Sequence, residues 1–416
     1  MNHFISEHKL IDFFEHEGKD FLDTRRSTGK LAAAPEKNIY YELYRADAEN
    51  PDKNADRIHA IGIPPGKSAA AYPESEWEQE TAATAKSESE GATAATTESV
   101  PHTAPSGNDT AVSETKSAAA AATESVLHTA LSGNISHASV PVGLLVLCHG
   151  YTETCTKYHE LIYYFLRHGF HVLAYDHRGH GRSFREVENP YKIHAEDFDA
   201  DYVGDLDLIV QKVARREFPA LPLFLYGHSM GGCVAARYIE LHPEVFSRCI
   251  LSSPMFGIKT GSVPNMLTLL LARFMKLVGQ GKRYILGQHD FLPDEVFEVS
   301  AATSPERFDR YNELRKITPE FQLSGGDYSW LYTCLHAAAC AVSRRETAKI
   351  KALVLLFEAE NDAYVPRARI AKFRKNLPDV QYHAWRGTKH EIYNSPDAVV
   401  KAYYKEIFRF LSDAVS

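Results

Sequence analysis

The sequence predicts an α/β fold: a mostly parallel sheet with helices on both faces and a helical cap over one edge. Two observations carry this prediction. From Pro141 onward, short runs that are apolar throughout alternate with amphipathic helical stretches, as strands buried on both faces require. The alternation then stops at 258 and resumes at 349, with only helical pieces between. A sharp change in composition near 139 marks where this unit begins.

The elements follow in chain order. Residues 5 to 20 place Ile5, Leu10, Ile11, Phe13 and Phe14 at partly helical spacing and predict one helix. After Gly29, KLAAAPEKNIYYELYRA reads as two short strands around a Pro35-Glu36-Lys37-Asn38 turn, so 1–67 is an amino-terminal helix and hairpin that joins the sheet. Residues 68–138 are rich in Ala, Ser, Thr and Glu. Within them TESVPHTAPSGN (97–108) returns as TESVLHTALSGN (123–134), a period of 26 residues. Alanine runs favour helix, but there is almost no apolar face to bury, so this acidic low-complexity insertion is predicted to be disordered. Two polar copies are too few to form a solenoid.

The first part of the core, 139–257, runs VGLLVLCHG (strand), HELIYYFLRHG (helix), FHVLAYD (strand), DADYVGDLDLIVQKVARR (helix), LPLFLYG (strand), SMGGCVAARYIELHP (helix) and SRCILSSP (strand). The cap is assigned to 258–348. Its most apolar stretch, MLTLLLARFMKL (266–277), predicts a helix in the interior of the cap, with an acyl-chain-lined entrance or a membrane contact as the other readings. The second part of the core, 349–416, supplies KIKALVLLFEA, ARIAKFRKNL, VQYHAW and PDAVVKAYYKEIFRFLSDA. Right-handed crossovers place all the strand-to-helix loops at one edge of the sheet.

Charge narrows the function classes. Residues 68–138 hold ten carboxylates and two lysines, a net of −8, which equals the net charge of the whole chain. The remainder therefore sums to zero, leaving no basic field for nucleic acid or an anionic membrane. The amino terminus lacks a basic region followed by an apolar run, and no stretch approaches 18 apolar residues, so neither a signal peptide nor a membrane span is expected and the expected location is cytoplasmic. The six cysteines (148, 155, 233, 249, 334 and 340) form no CxxC and read as free thiols of a reducing compartment.

The chemistry concentrates at YGHSMGG, 226–232, between a strand and a helix. In G-x-S-x-G, Gly227 and Gly231 remove Cβ atoms from a tight strand-to-helix turn and leave Ser229 with its Oγ outward, as a nucleophile requires. Serine needs a base and a group to orient that base. Asp362 lies just past the strand LVLLFEA, with Glu358 and Glu360 as competitors, and His390 lies in RGTKHEIYN after VQYHAW. In CHGYTETCTKY, Gly150 is assigned a sharp turn, His149 a hydrogen bond that orients the loop, and the N–H groups of Tyr151 and Met230 the two donors of an oxyanion hole. Asp176, Arg178 and His180 of YDHRGHGRS are read as pinning loops. No metal-ligand spacing and neither GxGxxG nor GxxxxGK occurs, so no cofactor is expected.

Together HGYTETCTKYHELIYYFLRHGFHVLAYDHRGHGRS, YGHSMGG, LSSPMF, ENDAYV and GTKHEI resemble the bacterial lysophospholipase and monoacylglycerol lipase branch of the α/β-hydrolases, a group also labelled serine-aminopeptidase-like. The resemblance covers 24–46 and 141–413. It implies Ser229 as nucleophile, Asp362 as the acid and His390 as the base, oxyanion N–H groups at Tyr151 and Met230, and a helical cap that selects the acyl substrate. It departs from the family in the near hundred residues between the hairpin and the HG strand.

The expected function is hydrolysis of lysophospholipid or monoacylglycerol esters through an acyl-enzyme. Phe256, Met266, Leu267, Leu269, Leu270, Leu271, Phe274 and Met275 are expected to receive a long apolar group, with weak peripheral membrane contact through the cap. The rival readings are an esterase or thioesterase for smaller substrates, an aminopeptidase using Asp290, Asp294 and Glu295 to hold an ammonium, and an inactive scaffold whose insertion binds a partner. Nothing in the sequence sets an oligomeric state.

Overall fold

The computed structural model describes residues 4–34, 36–46, 141–261 and 263–412. The expected insertion, 68–138, lies outside them. At the amino terminus the expected single helix is two, α1 (Leu10–Glu15) and α2 (Glu17–Asp23), broken at His16 with φ −127° and ψ −99°. The break lets Gly18 back onto the Phe13 ring, where a Cβ would come within 2.4 Å. Phe13 and Phe21 then pack edge-on against Tyr163, with centroids 5.2 and 5.0 Å away.

The hairpin β1 (Arg26–Ala34) and β2 (Lys37–Tyr44) is antiparallel. Next come β3 (Gly143–Cys148), α3 (His159–Arg167), β4 (Phe170–Tyr175), a two-residue β5 (Lys192–Ile193), a continuous helical run α4 (199–217), β6 (Leu223–His228), α5 (Met230–Leu241) and β7 (Arg248–Ser252). The cap contributes α6 (Asn265–Leu277), α7 (Pro305–Ile317), β8 (Gly325–Gly326), α8 (Tyr328–Ala341) and α9 (Arg344–Thr347). The chain closes with β9 (Leu353–Ala359), α10 (Arg367–Asn376), β10 (Gln381–Trp385) and α11 (Asp397–Ser412).

The main sheet has the order β1-β2-β4-β3-β6-β7-β9-β10. From β4 to β10 every neighbouring pair is parallel, and β2 runs antiparallel to β4. Strands β3, β4, β6 and β7 are buried at every position, which accounts for their unbroken apolar runs. Full burial of a single Leu or Val contributes about 1.5–3 kcal/mol.

One consequence of the parallel order is that the loops after β3, β6, β9 and β10 share an edge. The opposite edge holds the hairpin exit. Tyr44 pairs with Val172, which pairs with Leu145, and the Ala46 N–H donates to His171 Nδ1 at 3.0 Å. The chain thus leaves at Ala46 and returns at Pro141 on the side away from those four loops.

Within the cap, α7 is tied to the core by Arg307, whose buried guanidinium donates to Glu160 at 2.9 and 3.0 Å, to Asp397 at 3.2 Å and to Ser395 O at 3.0 Å. Removing one partner of such a buried pair costs about 3–5 kcal/mol. Helix α6 differs from its expectation as an interior helix. Only Thr268, Leu269 and Ala272 are buried, while Leu267, Leu270, Phe274 and Leu277 are 57, 51, 57 and 76% exposed. Its contact with α8 uses one narrow face, leaving the rest of the apolar surface outward.

Candidate active site

Ser229 occupies the turn between β6 and α5 with φ 52° and ψ −118°, a conformation that costs a non-glycine residue about 1–3 kcal/mol. Three backbone hydrogen bonds hold it: Ser229 N–H to Ser252 O, Met255 N–H to Ser229 O, and Cys233 N–H to Ser229 O, at 3.1, 2.8 and 3.1 Å. The flanking glycines are required by close approach. A Cβ on Gly227 would sit 2.4 Å from Gly231 O, and one on Gly231 would sit 2.2 Å from Cys148 O.

The loops after β9 and β10 bring Asp362 and His390 to this turn. His390 Nε2 lies 2.8 Å from Ser229 Oγ, and His390 Nδ1 lies 2.7 Å from Asp362 Oδ2. The other carboxylate oxygen, Oδ1, accepts the N–H groups of Tyr364 and Val365 at 2.8 and 2.9 Å. Burial alone would raise the Asp362 carboxyl, but the adjacent His390 and these two N–H donors outweigh it and hold the carboxyl below its ordinary value. The competing carboxylates are engaged elsewhere: Glu358 takes Arg367 and the Tyr382 hydroxyl, and Glu360 takes the Gly387 N–H.

The loop after β3 lines the same cavity as Ser229. Among the described residues, neither the Tyr151 N–H nor the Met230 N–H donates to a protein group; Met230 follows Ser229 directly, and Tyr151 lines the same cavity as Ser229. His149 orients this loop as expected from the sequence. Its Nε2 accepts the His177 N–H at 3.0 Å, so the ring proton is on Nδ1 and is donated to Gly150 O at 2.8 Å. The turn follows Gly150, with Thr152 as its left-handed residue, φ 58°. Gly150 lacks a side chain because the Glu153 carboxylate packs on it, 2.8 Å from where a Cβ would be.

Asp176, Arg178 and His180 lie outside the cavity. Asp176 accepts the N–H groups of Cys155 and Arg182, Arg178 pairs with Asp201, Asp205 and Glu186, and His180 Nδ1 lies 2.9 Å from Arg178 O. Ser229 and His390 open onto a cavity of about 680 Å³ lined by both apolar and charged side chains. The apolar lining comprises Met255, Val263, Leu271, Ile285, Leu331 and Val365, with Trp330 stacked on Tyr151. The charged lining includes Glu153, Lys157, Glu295, Arg315 and Glu391, already joined as ion pairs: Lys157 to Glu153 (2.8 Å) and Glu391 (2.5 Å), and Arg315 to Glu295.

Of the apolar residues assigned to the substrate from sequence, Leu271 alone lines this cavity; Phe256 is buried against Phe373, and the others named on α6 do not reach it. Nor do the cap acids assemble an ammonium site. Asp290 is held outside by Tyr284 and Asn189, Asp294 does not line the cavity, and Glu295 is paired with Arg315. Sequence reasoning passed over Glu153 and Lys157, although their i, i+4 spacing within CHGYTETCTKY was visible. Among the described residues no cluster of three or more His, Cys, Asp or Glu is disposed to hold a metal ion, and all six cysteines are free.

Comparison with known proteins agrees with this architecture. The serine aminopeptidase (S33) family matches residues 139–397. A probable lysophospholipase L2 of Haemophilus influenzae is 28% identical over 271 residues, covering 65% of this chain and 83% of that protein. A monoacylglycerol lipase of Mycolicibacterium smegmatis is 28% identical over 260 residues, covering 62% and 84%. Among solved structures, the monoacylglycerol lipase of Paleococcus ferrophilus superposes with a TM-score of 0.52 at 22% identity, covering 66% of this chain and 96% of that one. A soluble variant of monoglyceride lipase from Saccharomyces cerevisiae, in complex with a substrate analog, gives 0.54 at 20%, covering 67% and 89%. These two establish the α/β-hydrolase fold. The chain belongs to the serine aminopeptidase (S33) family.

Proposed function

We propose that the protein is a serine hydrolase that cleaves the carboxylic ester of a single-chain lipid, a monoacylglycerol or lysophospholipid, through an acyl-enzyme. The observation that carries this reading is the Ser229–His390–Asp362 hydrogen-bonded relay opening onto a cavity lined by apolar side chains together with a cluster of paired charges. The volume, about 680 Å³, is in the range of small-molecule sites.

In this mechanism His390 Nε2 takes the Ser229 proton as Oγ attacks the ester carbonyl. Asp362, ionised, keeps the His390 proton on Nδ1 and stabilises the imidazolium that forms. The N–H groups of Tyr151 and Met230 receive the developing oxyanion, the latter at the positive end of α5. His390 then protonates the departing alcohol, and water activated by the same ring releases the fatty acid. The paired charges of the lining suit a neutral or zwitterionic head group better than a bare ammonium, which favours ester over peptide cleavage.

The outward apolar face of α6 supports peripheral membrane contact through the cap, since several large apolar side chains exposed together on one helix mark a lipid or protein contact. Among the described residues no helix is long and apolar enough to cross a membrane. A panel of p-nitrophenyl esters from two to sixteen carbons tests the lipid reading. Rates rising or holding beyond eight carbons are expected; a steady fall beyond four carbons assigns the protein to small-ester hydrolysis instead.

A further inference from the structure

The Glu153 carboxylate is buried to 4% exposure and saturated. Oε2 accepts the Gly150 N–H and the Tyr158 hydroxyl, both at 2.6 Å. Oε1 accepts Lys157 Nζ at 2.8 Å and the Tyr393 hydroxyl at 2.9 Å. Four donors fill the four lone-pair positions of a carboxylate, so Glu153 has no acceptor capacity left for a substrate hydroxyl and is no general base. Its pKa agrees: burial pushes it up, but Lys157, His228 and the hydroxyl donors prevail and hold it far below the ordinary value.

What this carboxylate does fix is the peptide that carries the oxyanion donor. The Tyr151 N–H belongs to the Gly150–Tyr151 peptide, whose carbonyl end is held by His149 Nδ1 at 2.8 Å. The preceding peptide is held at its N–H end by Glu153 and at its carbonyl end by His177 Nε2, 3.1 Å from His149 O. With both peptide planes clamped, Gly150 has no freedom left, and the direction of the Tyr151 N–H is set. Through Tyr393, and through the Lys157 link to Glu391, the same carboxylate is joined to the loop that carries His390.

We infer that Glu153 is a positioning residue for the oxyanion hole, aligning the Tyr151 N–H through Gly150 and keying that loop to the His390 loop. This inference rests on the proposed serine-hydrolase reading. It predicts that Glu153 acts on the tetrahedral state rather than on ground-state binding, because the donor it aligns meets charge only after Ser229 has attacked.

The test compares wild type with E153Q, which retains the shape of the side chain but opposes two of the four donors with an amide NH₂. Two ligands are used. A long-chain alkyl trifluoromethyl ketone bonds its carbonyl carbon to Ser229 Oγ, sends the carbonyl electron pair to oxygen and passes the serine proton to His390, so it fills the oxyanion hole. The non-hydrolysable ether analogue of a monoacylglycerol occupies the cavity without forming an oxyanion. In E153Q the ketone is expected to bind about 10- to 100-fold more weakly, the ether within twofold of wild type, and kcat to fall about 100-fold with KM within twofold. Equal weakening of both ligands, a rise in KM at constant kcat, or an unchanged ketone affinity overturns the inference. If E153Q does not fold, E153D serves with the same expected split, since it keeps the charge facing Lys157 but draws the carboxylate back by about 1.5 Å from the Gly150 N–H. Wild type is the control for the underlying reading: if the ketone does not inhibit it, the serine-hydrolase assignment fails, whatever E153Q does.

Discussion

Deleting residues 68–138 is expected to leave the hydrolase both active and slightly more stable. The connection between Ala46 and Pro141 spans 94 residues, and the deletion leaves 23. Its two ends lie on the edge of the sheet away from Ser229, two strand spacings apart in the order β2-β4-β3, about 10 Å. A 23-residue flexible chain has a root-mean-square span of about 25 Å, so closure is unstrained. Loop entropy scales as (3/2)RT ln n, so with the segment disordered, as its composition predicts, shortening the connection fourfold stabilises the fold by about 1.2 kcal/mol. Urea unfolding reads the stability, and hydrolysis of a p-nitrophenyl ester reads activity, expected within threefold. The deletion also removes the entire net charge of −8, so lower solubility near neutral pH should accompany it. A loss of activity above a hundredfold in folded protein would refute the reasoning by showing that the segment serves the catalytic edge.

D362N should lower kcat by about 10³–10⁴-fold with little change in KM, because the charge that stabilises the His390 imidazolium is lost, while E358Q should stay within a few-fold; steady-state kinetics on one ester checks both. Acid should destabilise the protein. Burial pushes His228 down to about 3 and also lowers His149, His177 and His180, so these rings fold neutral. As pH falls below the unfolded histidine value the unfolded state binds the extra protons, and each such ring costs up to about 1.4 kcal/mol per pH unit until its own folded pKa is passed. Urea midpoints at pH 7, 6 and 5 should therefore fall in sequence. Replacing Leu267, Leu270 and Phe274 together by Ser should weaken binding to neutral phosphatidylcholine vesicles at least tenfold in co-sedimentation, with rates on a short soluble ester unchanged.

The parallel core was legible because its central strands have no exposed face: GLLVLC and LFLYGH are buried at every residue, and such runs look the same in sequence as in structure. Ser229, Asp362 and His390 were legible for a related reason. Each is tied to the carboxyl end of a strand, and the fold brings those ends together whatever the details of packing. Orientation around a helix axis was less accessible. The apolar residues of α6 suggested an interior helix, but only its contact with α8 decides which face is covered. The two-helix amino terminus depends on how Gly18 meets Phe13, a local packing event with no periodic signature. Glu153 was hidden because its role is set by donors at 150, 157, 158 and 393, and a single glutamate in a loop does not show that four donors will converge on it.

The central claim is that Ser229 carries the acyl group, and intact-mass and peptide analysis after treatment with a long-chain fluorophosphonate tests it most directly. One adduct per chain on the peptide containing Ser229, together with complete loss of monoacylglycerol hydrolysis and no adduct in folded S229A, is the predicted result. Hydrolysis that persists in folded S229A, or wild-type protein that stays active without modification at Ser229, would contradict the account.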